Sequence, residues 1–258
     1  MELSSPLKIK RIVAGGWGLT HMGAKVTFVR GVLPGEMVTV TPVESHRAYQ
    51  FATVDHLHEV SPDRIASPCP LYGQCGGCQF QHVRYEAQLR YKQLMLEEAF
   101  SRIAHIGVEC FLPPVPSPFP YQYRQWVRFS VFQDHKTFHL GFRQERSHKA
   151  VKCTDCLLVP DSIRVVVEEL SVRLAAMTCM PAYLSSIEVR VSVAFGGHML
   201  IVKSPQLNQR QAKSLLEMFR GIQSVTGCIV SAVPKRVCTS EATIRHLETS
   251  SFPLRGEW

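Results

Sequence analysis

The chain has 258 residues and carries 29 Lys plus Arg against 21 Asp plus Glu, a formal charge of +8 and a pI near 9.1. Hydrophobic residues at 45% and charged residues at 19% supply enough apolar material for a core and exclude disorder over most of the length. No run approaches the roughly 18 apolar residues of a membrane helix, and the basic Lys8, Lys10 and Arg11 lead into Gly15-Gly16-Trp17-Gly18 where a secretory signal would be apolar. A cytoplasmic protein with no membrane partner is expected. Its nine cysteines are then reduced thiols or metal ligands rather than disulfides. The basic excess makes nucleic acid the first partner to test.

In chain order, residues 1–60 carry short strand candidates, Lys25–Val29, Met37–Val40 and Ala52–Leu57, separated by turns such as Leu33-Pro34-Gly35-Glu36. This pattern predicts a small β-barrel of the OB type. From Tyr85, the positions Tyr85, Leu89, Leu96, Phe100 and Ile103 recur at helical spacing, predicting an amphipathic helix that ends near Ala104. Five prolines between residues 111 and 120 exclude helix and central strand there and predict a linker or extended arm. Beyond it, Trp126–Phe132 with Thr137–Phe142 form one expected hairpin, and Ile187–Phe195 with His198–Lys203, turning at Gly196-Gly197, a second. Helices are expected at Ser162–Met177, capped by Ser162, and at about Asn208–Phe219. Residues 61–258 thus read as α+β rather than an alternating βαβ array.

The chemistry concentrates at Cys69, Cys75 and Cys78, spaced C-x5-C-x2-C in a stretch where Gly73, Gly76 and Gly77 let the backbone fold tightly. Three thiols on ten residues point to a metal, with Cys153 and Cys156 as candidates for a fourth ligand. Zinc would use the two C-x2-C pairs, leave Cys69 idle and separate the pairs far beyond ribbon spacing. An iron–sulfur cluster would use the three thiols and one distant cysteine, and spacing ranks it ahead of zinc. Cys110, Cys179, Cys228 and Cys238 read as buried structural thiols.

The stretch Cys75-Gly76-Gly77-Cys78-Gln79-Phe80-Gln81-His82, with Tyr85, Gln88, Leu89 and Lys92, resembles the bacterial RNA uracil-C5 methyltransferases that make 5-methyluridine in ribosomal or transfer RNA. The resemblance extends upstream to a TRAM-like barrel through Gly15–Gly18, Phe28-Val29 and Leu33–Glu36, and downstream through Tyr123-Arg124, Gly141-Phe142-Arg143 and Ser147-His148. It implies a [4Fe-4S] cluster on Cys69, Cys75 and Cys78, with Cys156, followed by Leu157-Leu158, as the fourth ligand rather than Cys153. It further implies RNA as partner, ribosomal ahead of transfer RNA.

The resemblance weakens after about residue 160. The family continues into a doubly wound domain that binds S-adenosylmethionine and supplies a cysteine nucleophile for uracil C6. No strand-to-helix Gly-rich loop is legible in this chain. Thr178-Cys179-Met180-Pro181 superficially matches the family's nucleophile motif but follows a predicted helix, so no catalytic residue is assigned. The expected fold is an OB/TRAM-like barrel (residues 1–60, RNA binding) followed by an iron–sulfur α+β central domain (61–258), without a complete doubly wound methyltransferase domain. The chain would be a truncated or split member, with S-adenosylmethionine expected only for the full-length family and a separately encoded methyltransferase domain as a partner. The alternative from another class is a stand-alone RNA-binding or zinc-stabilised structural module.

For RNA contact, Lys8, Lys10, Arg11, Lys25, Arg30 and Arg47, with Arg84, Arg90, Lys92, Arg124, Arg128 and Arg143 further on, are candidates to track phosphates. Phe80 or Trp126 would stack on a splayed base, and His82 and His148 are weak site candidates.

Overall fold

The computed structural model describes residues 5–105, 107, 111–135, 137–177, 179–180, 183–192, 196–232 and 252–253. Cys110 and Cys238, as well as Thr178 and Pro181 of the Thr178–Pro181 motif, lie outside them. The chain divides into two compact units, Met1–Pro118 and Phe119–Trp258.

The first unit is a six-stranded sheet made of β1 (Leu7–Lys8), β2 (Arg11–Val13), β3 (Trp17–Met22), β4 (Lys25–Arg30), β5 (Met37–Ser45) and β6 (Tyr49–Glu59). Its order is β1-β5-β6-β4-β3-β2. Every pairing is antiparallel except β4 with β6, which is parallel. Ile9, Val29, Val32, Val38, Val40 and Ala52 form the core of this sheet. Strand alternation is obeyed with small residues inward: Gly18, Thr20 and Thr27 are buried while Trp17, Leu19 and Phe28 stay half-exposed. Gly18 is obligatory for space, because a Cβ there would sit 2.3 Å from a Val32 methyl.

Helix α1 (Tyr85–Ala99) runs into a π-helical turn, Phe100–Ala104, closed by His105 in the left-handed region at φ 54°. Its end therefore falls where expected, but its buried face does not. Ala87 and Tyr91 are the buried residues and pack with Ile12, Leu33 and Val83, while Leu96, Phe100 and Ile103 are exposed. The spacing count followed the larger side chains, whereas the narrow contact with β2 selects a face containing alanine. Residues 111–120 form neither helix nor strand, as five prolines require.

The second unit holds β7 (Trp126–Asp134), β8 (Thr137–Arg143), β9 (Ala150–Lys152), α2 (Asp161–Ala175), β10 (Ser186–Val191), β11 (His198–Ser204), α3 (Gln209–Phe219), β12 (Val225–Ala232) and β13 (Phe252–Pro253). The sheet order is β13-β12-β11-β10-β7-β8-β9. Both expected hairpins form, β7 with β8 and β10 with β11. Helix α2 begins one residue early, with Pro160 at the cap position and no side-chain cap, so Ser162 does not cap it. Asn208 caps α3 through a reciprocal pair with Gln211. Both helices bury one apolar face, Ile163, Val166, Leu170, Leu174, Leu215 and Phe219, in one core with Val127, Phe129, Ile187, Val189, Leu200 and Val202 of the sheet.

The expected fold class needs correction. In place of an OB-type barrel followed by an α+β domain without an alternating βαβ array, each unit is built on a mixed sheet. In the second, β11, α3 and the parallel strand β12 form a βαβ unit. Strand β12 was missed because Val225-Thr226-Gly227-Cys228 places a glycine and polar residues where an alternating strand signal was sought. Without it α3 read as a terminal helix rather than a crossover.

Candidate functional site

The loop from Cys69 to Cys78 is a series of tight turns: the Tyr72 amide donates to Cys69 O, and the Cys75 amide to Leu71 O at 2.9 Å. Gly73 adopts φ +85°, a conformation that favours glycine. All three cysteines are half-buried, and the Gly77 N–H points at Cys75 Sγ at 3.4 Å. Soft thiol donors with an amide directed at sulfur suit thiolate ligation of a cluster. Among the described residues, however, no three His, Cys, Asp or Glu side chains are gathered as a metal-binding group. Cys156 is half-buried and Cys153 buried, both in the second unit, between β9 and α2.

Two polar pairs, Tyr72 with the buried His82 and the buried Glu36 with Arg64, support this loop. Tyr72, between the first two cysteines, donates its hydroxyl to Gln79 O at 2.9 Å and meets His82 Nδ1 at 2.5 Å, its ring stacked against the imidazole. Glu36 is fully buried; its two oxygens accept from the Leu33 and Ser61 amides and from Arg64 Nε and Nη2 at 2.6 and 2.7 Å. Arg64 also donates to Gly31 O and lies opposite Val83 in a β-bridge, while the Ile65 amide donates to His82 O. The carboxylate thus ties the turn before β5 to the segment that leads into and out of the cysteine loop.

Burial, reinforced by the Arg64 charge, pushes His82 down to about 4, and burial pushes the Tyr72 hydroxyl up to about 12. The folded chain keeps His82 neutral, whereas the unfolded chain takes up a proton as pH falls below about 6.5. The stability carried by the neutral ring is complete above that pH and declines toward pH 4, by about 3 kcal/mol in total. Thermal unfolding should therefore occur at lower temperature at pH 5 than at pH 7, with a shallower difference in His82→Gln. An identical pH dependence in the two proteins would show that another group controls it.

The basic candidates of the first unit lie on or beside its strands. Lys8 is exposed on β1, and Lys10 between β1 and β2 brings Nζ to 3.2 Å of His21 Nδ1. Arg11 opens β2 and pairs with Glu98 at 3.0 Å. Lys25 donates to Ser45 Oγ, and Arg30 donates to Gly15 O while its guanidinium lies 4.3 Å over the Trp17 ring. Arg84 and Arg90 are committed to Pro62 O and Asp63. In the second unit Arg124 and Arg128 are exposed, and Arg143 contacts His148. Phe80 is half-buried and packs against the core around Val83 and Tyr91, whereas Trp126 is 50% exposed.

Two features escaped the sequence reading. Trp17, Phe28, Tyr49 and Phe51 form one aromatic cluster on the outer side of β3, β4 and β6, with ring centroids 4.9 to 6.1 Å apart and His46 stacked on Tyr49. The signal was legible in the inverted alternation, large aromatics at positions whose strand neighbours are Gly18 and Thr27. The second is Glu188, 1% exposed, which binds both Arg128 and Arg190. Its alternation in Ile187-Glu188-Val189-Arg190 marked it as outward, but its two arginine partners come from pairing that only the fold provides.

No family profile matches the chain. It is 31% identical over 233 residues to an uncharacterized RNA methyltransferase of Halalkalibacterium halodurans, covering 84% of this chain and 51% of that protein. It is 33% identical to the 23S rRNA (uracil(1939)-C(5))-methyltransferase RlmD of Bordetella parapertussis, covering 71% of this chain and 39% of that one. The chain therefore spans about half or less of the length of the curated relatives it matches. Among solved structures, the tRNA (uracil-54, C5)-methyltransferase of Pyrococcus abyssi, in complex with S-adenosyl-L-homocysteine, superposes with a TM-score of 0.60 at 20% identity, over 91% of this chain and 53% of that one. This match contradicts the expected fold class of an OB/TRAM-like barrel followed by an α+β domain, because 91% of the chain follows the fold of about half of such an enzyme. The homologues of this chain are RNA methyltransferases, among them enzymes specific for uracil C5, and the chain is related to that family over most of its length.

Proposed function

We propose that this chain contributes to S-adenosylmethionine-dependent methylation of uracil C5 in RNA, ribosomal ahead of transfer RNA, by binding the RNA. The observation that carries this reading is the alignment with RNA methyltransferases over 84% of the chain. Methyl transfer at C5 demands that a uridine be held still beside a nucleophile, a sulfonium donor and a base. What this chain's own residues contribute is the hold on the RNA. We assign the phosphate contacts to Lys8, Lys10, Arg11, Lys25 and Arg30 within residues 1–60 and to Arg124 and Arg128 beyond, all of them exposed or half-exposed and on strands or next to them.

Within residues 61–258, Cys69, Cys75 and Cys78 are assigned as ligands of a [4Fe-4S] cluster, with Cys156 as the fourth. When bound, the cluster supplies iron–thiolate bonds that fix the cysteine loop. The loop's amides, the Tyr72–His82 pair and the Glu36–Arg64 pair hold the backbone that presents those thiols.

The test is the salt dependence of RNA binding. Several Lys and Arg contacts release counterions, so affinity for a uridine-bearing hairpin should fall steeply between about 50 and 200 mM salt. Replacing Lys10→Glu and Arg11→Glu together should weaken binding and lower the log–log slope by about two. Absence of binding at low salt, or binding indifferent to salt, would contradict the proposal.

A further inference from the structure

The sheet of the second unit has one face covered by α2 and α3 and another on which, among the described residues, no helix of that unit packs. On the uncovered face, register places Trp126 beside Arg190, Arg190 beside Met199, and Met199 beside Gly227, one row across β7, β10, β11 and β12. The next row is Arg128, Glu188 and Ile201. Trp126 is 50% and Met199 42% exposed, although an exposed tryptophan on a sheet costs apolar area that folding would otherwise bury.

The two guanidinium groups are placed rather than free. Arg128 reaches Glu188 Oε2 through Nε at 2.9 Å and Nη2 at 2.7 Å, and Arg190 Nε reaches Oε1. Both lie beside the indole, 5.9 and 5.7 Å from its ring centroid. The arginines hold the Glu188 carboxyl below its usual range against the opposing effect of burial. A buried carboxylate that fixes two planar cations around one exposed aromatic is a preorganised surface, since the side-chain entropy of both arginines is already lost.

Charge identifies the occupant. Lys203, Lys152 and Arg143 share this face by register, in line with Ser186, Gly141 and Ala150. Against them stand Glu188, already bound to two arginines, and Asp134 at the far end of β7. A flat aromatic with flanking guanidinium planes inside a field of cations matches a nucleobase attached to phosphates, the combination found in single-stranded RNA. Three strand spacings of about 4.8 Å give the row about 14 Å, room for a short run of nucleotides.

We infer that the open face of the second unit's sheet is a stacking platform for single-stranded RNA, in which Trp126 stacks a base and Arg190 and Arg128, set by Glu188, meet the flanking base or phosphate. This rests on the RNA-binding function proposed above and adds the residues that read the bases.

The experiment measures binding of the full chain to a labelled uridine decamer and to a decamer of the same backbone lacking bases. Trp126→Ala should weaken binding of the uridine decamer about ten-fold, with an unchanged salt slope, and leave the abasic decamer unaffected. Trp126→Phe should recover most of the affinity, and Arg190→Gln should lower the salt slope by about one. RNA should quench tryptophan emission in the wild type more than in Trp126→Ala. If Trp126→Ala binds the uridine decamer as the wild type does, or loses both decamers equally, the platform is overturned while RNA binding stands. Emission of Trp126 untouched by bound RNA would also overturn it and assign the face to a protein partner. No binding by the wild type at low salt would remove the underlying RNA reading itself.

Discussion

Replacing Glu36 with alanine is expected to destabilise the first unit by about 3–5 kcal/mol, the cost of breaking a buried ion pair from one side. The carboxylate has no exposed surface, and its loss would strip partners from two backbone amides and from Arg64, whose side chain is only 22% exposed. The stranded guanidinium retains Gly31 O alone among these contacts. Glu36→Gln preserves volume and part of the amide contacts, so it should cost less than the alanine. Removing both charges, as Glu36→Leu with Arg64→Met, should recover much of the loss. Denaturant unfolding of the four proteins provides the comparison, and a loss below about 1 kcal/mol in Glu36→Ala would show that the pair contributes little.

The second large effect is expected in metal content. Protein purified without oxygen should be brown and contain about four iron and four acid-labile sulfide per chain. Cys78→Ser should lose nearly all of both. Cys156→Ser should deplete iron strongly, and Cys153→Ser should leave it nearly intact while costing some stability, because Cys153 is packed among buried residues. Stoichiometric zinc with no iron in protein never exposed to air would contradict the cluster assignment. Iron lost in Cys153→Ser and retained in Cys156→Ser would move the fourth ligand to Cys153.

What the sequence revealed was governed by local physics. The cysteine spacing, the proline arm, both hairpins and the helix beginning near Asn208 depend on neighbours within a few residues, and each is visible without the fold. The buried face of α1 depends on which residues β2 presents to it, so the larger Leu96 and Phe100 misled the count and Ala87 was passed over. The parallel pairs, β4 with β6 and β11 with β12, are set by crossover connections of 18 and 20 residues and left no periodic trace. For the same reason the fold class was misjudged.

The site followed the same division. Trp126 and Arg128 are two residues apart in sequence and were legible together. Their partners Glu188 and Arg190 lie some sixty residues away and meet them only through the β7–β10 register. Glu36 resembled an ordinary turn residue in Leu33-Pro34-Gly35-Glu36, and only burial and its four donors disclose its structural role. Phe80, the other stacking candidate, is half-buried against the cluster around Val83 and Tyr91.

On the function proposed above, this chain grips RNA through the basic strands of the first unit and the open sheet face of the second. The most direct measurement is photocross-linking of the intact chain to single-stranded RNA carrying 4-thiouridine, with the attached peptides identified by mass spectrometry at low and high salt. Cross-links in the peptides that contain Lys10 to Arg30 and Trp126 to Arg128, abundant at low salt and suppressed at high salt, are the predicted result. Absence of cross-links at low salt, or their confinement to peptides away from both surfaces, would contradict it.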